Sequence, residues 1–218
     1  MLMKTAVLKL DGSDPEIHMQ EAAKILRNSG IAAFPTDTVY GLGAIYSDTV
    51  AVRKIFAAKE RPETKPLSIL VCDISQVRML AADISDDAYK LMKAFWPGAL
   101  TIILRKNEKA HIPDEVSAGG DTIGVRMPDN AAARMLIELA GLPLAAPSAN
   151  ISGARSARIA AEVIDDLDGR IDMIIDGGDC PIGISSTIVD MSCEGHRILR
   201  QGSISAKDIE KVLSDQRI

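Results

Sequence analysis

Three basic residues, Lys59, Arg61 and Lys65, crowd the stretch KERPETKP at 59–66. Lysine and arginine at that spacing can clasp a polyphosphate through charge-assisted hydrogen bonds. Pro62 and Pro66 disfavour helix, so the spacing predicts basic side chains projecting from an extended loop just past a helix. Glu60 and Glu63 reduce the segment's formal charge to +1, and taken alone it reads as a solvated helix end. Arg126 is harder to dismiss, because TIGVRMP sets it among strand-forming apolar residues. A buried arginine must be paired, since an isolated charge costs several kcal/mol. It either meets a structural carboxylate or reaches an anionic ligand at the strand end.

Hydroxyl groups cluster at other strand edges. In FPTDTVYGLGA the apolar run from Ile31 to Phe34 empties through Pro35 into Thr36, Asp37 and Thr38, then Tyr40, Gly41 and Gly43. The pattern predicts a ligand held at a strand end, with the glycines giving room for close backbone approach. PLAAPSANISG leads a strand into Ser148 and Asn150, which offer hydroxyl and amide partners, and a tight turn explains Ser152-Gly153 equally well. GISSTIVD runs Ser185, Ser186 and Thr187 into a strand, and ILRQG puts Arg200 at a strand's foot. Singly these are turns and caps. Together they predict a polar cleft that holds an anion by many donors.

The common catalytic signatures are missing. The third glycine of a dinucleotide fingerprint is replaced by Tyr46, no Gly-Lys pair supports a P-loop, and no G-x-S-x-G elbow occurs. His18, His111 and His196 stand apart from one another and from any cysteine at metal-ligand spacing, so surface positions are expected and no protein-held metal. With 25 Lys and Arg against 30 Asp and Glu, the net charge of −5 argues against gripping nucleic acid by bulk charge, leaving room for a local basic groove. Cys72, Cys180 and Cys193 have no C-x-x-C spacing, which predicts reduced thiols in a cytoplasmic protein. Lys4 and Lys9 interrupt the N-terminal apolar residues, unlike a signal peptide, and no stretch approaches the ~18 uncharged residues of a membrane span.

The elements that must position these groups follow from periodicity and caps. A strand is expected over 3–10, then a helix opened by Asp14-Pro15, burying Ile17, Ala22, Ile25 and Leu26 and ending at Gly30. A helix from Asp48 to about Lys59 buries Val52, Ile55 and Phe56, followed by a strand at Leu67–Val71. Ser85 starts a helix that ends before Trp96-Pro97-Gly98, and Leu100–Leu104 forms a strand. The polar segment 105–120 is long enough to be a lid or a disordered excursion. Beyond it come a strand at Thr122–Met127, a helix capped by Asp129 that runs to Ala140, and a short strand at Leu144–Ala146. A helix over 156–167 precedes strands at Met173–Ile175, Ser186–Val189 and Arg197–Leu199, and Ser205-Ala-Lys-Asp208 begins a closing helix. With 218 residues and 47% hydrophobic content, this alternation predicts one α/β domain around a mixed sheet.

Seven segments appear in a specific order: PTDTVYGLGA, KERP with KPL close behind, WPGALT, TIGVRMP, APSANISG, SSTIVD and ILRQG. In that order, over about residues 14–205, the chain resembles the YrdC-like family. The resemblance implies a single YrdC-like domain over 1–218 with a short C-terminal helix at 205–215, an open twisted mixed sheet, and a concave, positively lined binding face. It also implies L-threonylcarbamoyladenylate synthase activity, a nucleotidyl transfer joining L-threonine, bicarbonate and ATP with release of pyrophosphate. The product serves threonylcarbamoyl modification of tRNA adenosine 37 by partner transferase proteins, and tRNA itself is a candidate contact. By the resemblance, Thr36, Ser68, Arg126, Ala146 and Ser186 bind threonine, with Arg126 taking its carboxylate. Lys59, Arg61, Lys65, Thr122, Ser148, Asn150, Ser156 and Arg200 hold ATP, and Lys59, Arg61 and Arg126 carry the catalytic role. Mg²⁺ is expected on the ATP phosphates. Some longer relatives carry a second C-terminal domain, whose contribution the resemblance implies is absent here or supplied by a partner. The rival readings are a non-catalytic RNA-binding module using the concave face, and a carbamoyl-transfer domain of hydrogenase maturation proteins, which normally comes with zinc-finger and acylphosphatase-like domains.

Overall fold

Alternate residues of the central strands go to opposite sides of one sheet, and this divides the core in two. The structure, a computed structural model, describes residues 4–10 and 15–214. In chain order the elements are β1 (Ala6–Lys9), α1 (Pro15–Arg27), β2 (Ala32–Phe34), β3 (Gly41–Ile45), α2 (Thr49–Lys59), β4 (Ser68–Leu70), α3 (Ile74–Leu80), β5 (Ala81–Ala82) and α4 (Asp86–Phe95). They continue with β6 (Leu100–Lys106), α5 (Asp114–Ser117), β7 (Thr122–Arg126), α6 (Ala131–Ala140), β8 (Leu144–Ala145), α7 (Ala160–Leu167), β9 (Met173–Asp176), β10 (Thr187–Asp190), β11 (Arg197–Arg200) and α8 (Ala206–Ser214). The sheet order is β1-β9-β2-β3-β8-β4-β7-β6-β10-β11, with β5 paired to β6. Parallel pairs such as β4/β7 and β6/β10 mix with antiparallel ones such as β6/β7 and β10/β11, as the α/β reading expects.

On one face Ala32, Phe34, Leu70, Leu144 and Met173 meet Met19, Leu26, Leu136 and Ile137 of α1 and α6. On the other, Ala33, Ile69, Ala145 and Ile174 pack with residues of α2, α3, α4 and α7. Helices α1 and α6 also pack on each other. Their face of the sheet continues past Leu70, and Leu70 pairs in register with Arg126, Thr101 with Ile188, and Ile188 with Arg200. On that continuation polar residues replace the apolar ones, and the site lies there.

Several expectations shift by identifiable local forces. In α1 the buried positions are Met19, Ala22, Ala23 and Leu26, a regular i, i+3, i+4, i+7 stripe that leaves Ile17 59% exposed. The expected cap Asp14 lies outside the described residues. Asn130, not Asp129, caps α6 by accepting from the Ala133 amide, because Asp129 is drawn to Arg134 and to Asp37. Helix α7 starts at Ala160 instead of 156. Helix α3, capped by Asp73, and the short β5 were not expected. Segment 105–120 is not a disordered excursion. It contains a 3₁₀ turn at Glu108–Ala110 and α5, and it is pinned by Tyr46 Oη donating to the Ala110 carbonyl and the Leu67 amide to Val116. His111 is exposed as expected, whereas His18 and His196 are half-buried, His196 against Glu210. Gly43 is not there for a ligand. A Cβ on it would lie 2.6 Å from the Phe34 ring, so this glycine makes room for an aromatic side chain in the core.

Candidate active site

Arg126 ends β7 with its guanidinium buried and three groups around it. Nη2 pairs with Asp37 Oδ1 at 2.5 Å, Nη1 donates to Thr38 Oγ1 at 2.8 Å, and Nε donates to the Gly98 carbonyl at 2.9 Å. Burial pulls its pKa down, and Asp37 works against that. Asp37 Oδ1 also accepts the Asp129 amide, while Oδ2 has no partner among the described residues. Of the two sequence alternatives, the structure shows the first and leaves room for the second. Arg126 has its structural carboxylate, and it lines a cleft. A guanidinium carries five N–H donors, so donors remain for a ligand.

The threonines on either side of Asp37 belong to the turn that presents it to Arg126. Thr36 Oγ1 donates to the Val39 carbonyl at 2.7 Å and accepts from the amides of Thr38 at 3.1 Å and Val39 at 3.3 Å. Those bonds use its hydroxyl fully, so Thr36 lines the cleft while its hydroxyl shapes the turn. Across the cleft, Ser186 Oγ lies 2.7 Å from Thr101 Oγ1, and Arg200 donates to the Ser186 carbonyl and hydroxyl. Thr101 is buried and projects opposite to Leu100 and Ile102, which belong to the other core.

These groups border an open cleft of about 180 Å³. Of the residues expected at the site, Thr36, Arg61, Ser68, Arg126, Ala146, Ser148, Ser186 and Arg200 line it. Among the described residues its walls contain three arginines and no carboxylate, so the cleft is electropositive in a chain of net charge −5. The Ala146 amide donates to the Ser68 carbonyl, fastening two parts of the wall. Thr38, Tyr40, Thr101, Ser185 and Ile188 also line it and were not singled out as site residues. Their signal was the strand alternation that puts Thr101 and Ile188 on the face of Arg126 and Arg200.

The basic stretch behaves differently from its expected loop. Lys59 is the last residue of α2 and only 1% exposed. Its Nζ donates to the carbonyls of Ser148 at 2.6 Å and Asn150 at 2.5 Å. The helix carries it inward, correcting the picture of a side chain projecting into solvent. Burial pushes its pKa down to about 8, reinforced by Arg61 and opposed by Asp166. Asn150 is buried too, its amide donating to the carbonyls of Ile151 and Ala154, while Ser148 Oγ donates to Asn150 Oδ1. Lys59 and Asn150 thus brace the loop that brings Ser148 to the cleft. Arg61 reaches the cleft and donates to the carbonyls of Lys65 and Pro66. Lys65 is exposed, Ser156 is half-buried in the loop before α7, and Thr122 sits at the far end of β7 opposite Arg105. None of these three lines the cleft.

Comparison with known proteins places this geometry. A family model for Sua5, YciO and YrdC, described as "Telomere recombination", matches residues 24–202. Threonylcarbamoyl-AMP synthase of Bacillus subtilis is 47% identical over 94% of this chain and 58% of its own length. The enzyme of the same name from Pyrococcus abyssi is 43% identical over 98% of this chain and 62% of its own. A crystal structure of P. abyssi Sua5 complexed with L-threonine superposes with a TM-score of 0.91 at 42% identity, covering 96% of this chain and 61% of that one. The chain therefore spans about three-fifths of the length of these relatives.

Proposed function

The chain belongs to the Sua5, YciO and YrdC family, and on that premise we propose that it makes threonylcarbamoyl-AMP from L-threonine, bicarbonate and ATP. One observation carries the reading: a carboxylate-free cleft with Arg61, Arg126 and Arg200 in its walls and hydroxyls between them. Such a cleft suits reactants that are all anionic. The names of the matched relatives and the threonine found in P. abyssi Sua5 support the substrates.

The chemistry asks the protein for position and charge. Threonine's amine attacks bicarbonate, giving a carbamate and water. A carbamate oxygen then bonds to the α-phosphorus of ATP as the bond to pyrophosphate breaks. Neither step needs an enzyme nucleophile, only reactants held in line and developing negative charge met by fixed donors. Arg126 has free N–H donors for the threonine carboxylate and is held by Asp37, so it meets the anion without reorganising. Ser186 and Thr101 face that ligand with a hydroxyl pair. Arg61 and Arg200 neutralise phosphate oxygens, and Lys59 braces the Ser148 segment of the wall beside them. Among the described residues no group of three or more His, Cys, Asp or Glu is placed to hold a metal. In this proposal Mg²⁺ arrives on the ATP phosphates, where it offsets their charge.

Downstream, the product passes to transferase proteins that modify tRNA adenosine 37, and tRNA itself is a candidate contact. Among the described residues no helix is long and apolar enough to cross a membrane. We propose the cytoplasm as the place of the reaction on the separate ground that Cys72, Cys180 and Cys193 are free thiols. The test is pyrophosphate release that requires ATP, threonine and bicarbonate together, with the mixed anhydride identified by mass in fresh neutral reactions. Folded protein that forms no such product overturns the proposal.

A further inference from the structure

Arg158 carries a guanidinium that nothing among the described residues neutralises. Its Nε is buried without a hydrogen-bond partner, and Arg158 takes part in none of the ion pairs present there. The nearby acid is used elsewhere: Glu162 accepts the Arg158 backbone amide at 2.6 Å. The side chain lies over Gly183, whose φ is +68°. A Cβ there would sit 2.8 Å from Arg158 Cζ, so a side chain at 183 would push the guanidinium out.

This cradle is built into the rim of the cleft. The Gly183 amide donates to the carbonyl of Thr38, and the Tyr40 amide donates to the carbonyl of Ala157, next to Arg158. Thr38, Tyr40 and Ser185 all line the cleft. A cleft of about 180 Å³ is smaller than the ~300–1,000 Å³ of sites that take drug-sized ligands, so a nucleotide bound beside threonine must extend over the rim. An orphaned buried N–H is costly to leave unmade, and an anion crossing the rim would complete it.

We propose that Arg158 is a further phosphate-binding residue, taking the outer phosphates of ATP and the pyrophosphate they become. The inference rests on the ATP-using reading above. The experiment is calorimetric titration of wild type, Arg158→Ala and Arg158→Gln with MgATP, pyrophosphate, AMP and threonine. Loss of a charge-assisted contact should weaken ATP and pyrophosphate by about ten-fold or more. AMP and threonine should bind as in wild type, which also certifies the fold, and Gln keeps the side-chain stem should Ala destabilise the loop. Unchanged ATP and pyrophosphate binding would mean a solvated arginine only and overturn the inference. So would an equal loss for all four ligands, which marks a structural role. A wild type that binds no ATP overturns the proposed function itself, and this inference with it.

Discussion

Lys59 Nζ donates to the carbonyl of Ser148 across a separation of 89 residues, at 2.6 Å. With the second bond to Asn150, it ties the end of α2 to the loop that presents Ser148 to the cleft. A residue expected to hold ATP is therefore buried and placed to shape the cleft wall. Lys59→Met should lower the melting temperature, since two carbonyls lose their donor at roughly 1–3 kcal/mol each. It should also weaken ATP more than threonine. Calorimetric titrations with thermal melts decide, and a variant with wild-type stability and ATP affinity contradicts this role.

The same lysine gives a pH signature. Its folded pKa, about 8, lies below the ordinary 10.5, so the unfolded chain holds more protons between these values. Stability contributed through Lys59 therefore rises with pH across that window. Cys180 acts oppositely, since burial pushes its pKa from 9.0 up to about 11 and its contribution falls as pH rises through that range. The difference between wild type and Lys59→Met isolates the lysine. Urea unfolding across the window should show wild type gaining on the variant as pH rises, and a flat difference counts against the assignment.

Arg126 and Asp37 form a pair that is 7% and 6% exposed at the side chains. Arg126→Ala should abolish threonine binding and also destabilise by roughly 3–5 kcal/mol, because Asp37 is left buried and unpaired. Arg126→Met combined with Asp37→Leu should regain much of that stability without regaining threonine. Melts with and without threonine separate the two effects. Normal threonine affinity in either variant defeats the ligand role of Arg126.

How much of this was legible in the residues depends on what their local pattern determines. The strand at Thr122–Arg126 and the helix at Thr49–Lys59 could be read because apolar period and caps agree there. The crowding of Thr36, Arg126, Ser186 and Arg200 at one cleft could be anticipated from hydroxyls and cations repeated at strand edges. The inward turn of Lys59 could not, because its partners are backbone carbonyls of Ser148 and Asn150, which no side-chain pattern announces. Gly43 misled for a similar reason. Its neighbour is the Phe34 ring across an antiparallel pair, and in sequence that looks the same as room for a ligand. Thr101 was passed over because one hydroxyl among strand formers has no local signature. Only the register with Ile188 sets it beside Ser186.

That register directs the last prediction, on amino-acid selectivity. Thr36 has no hydroxyl capacity to spare, so reading of threonine's own hydroxyl falls to Ser186 and Thr101. Their mutual hydrogen bond can reverse direction, letting the pair donate or accept as the ligand requires. Valine would leave that pair facing a methyl group, and sites built to bond a substrate hydroxyl reject the analogue lacking it by roughly 10⁴-fold or more. Serine keeps the hydroxyl and lacks only a methyl, a loss of about 1–3 kcal/mol. Steady-state kcat/KM at saturating ATP and bicarbonate should therefore order threonine, serine and valine with the wide gap before valine. Ser186→Ala should narrow that gap by lowering threonine use while leaving valine use unchanged. Valine accepted as readily as serine by the wild type would mean that the hydroxyl is not read here.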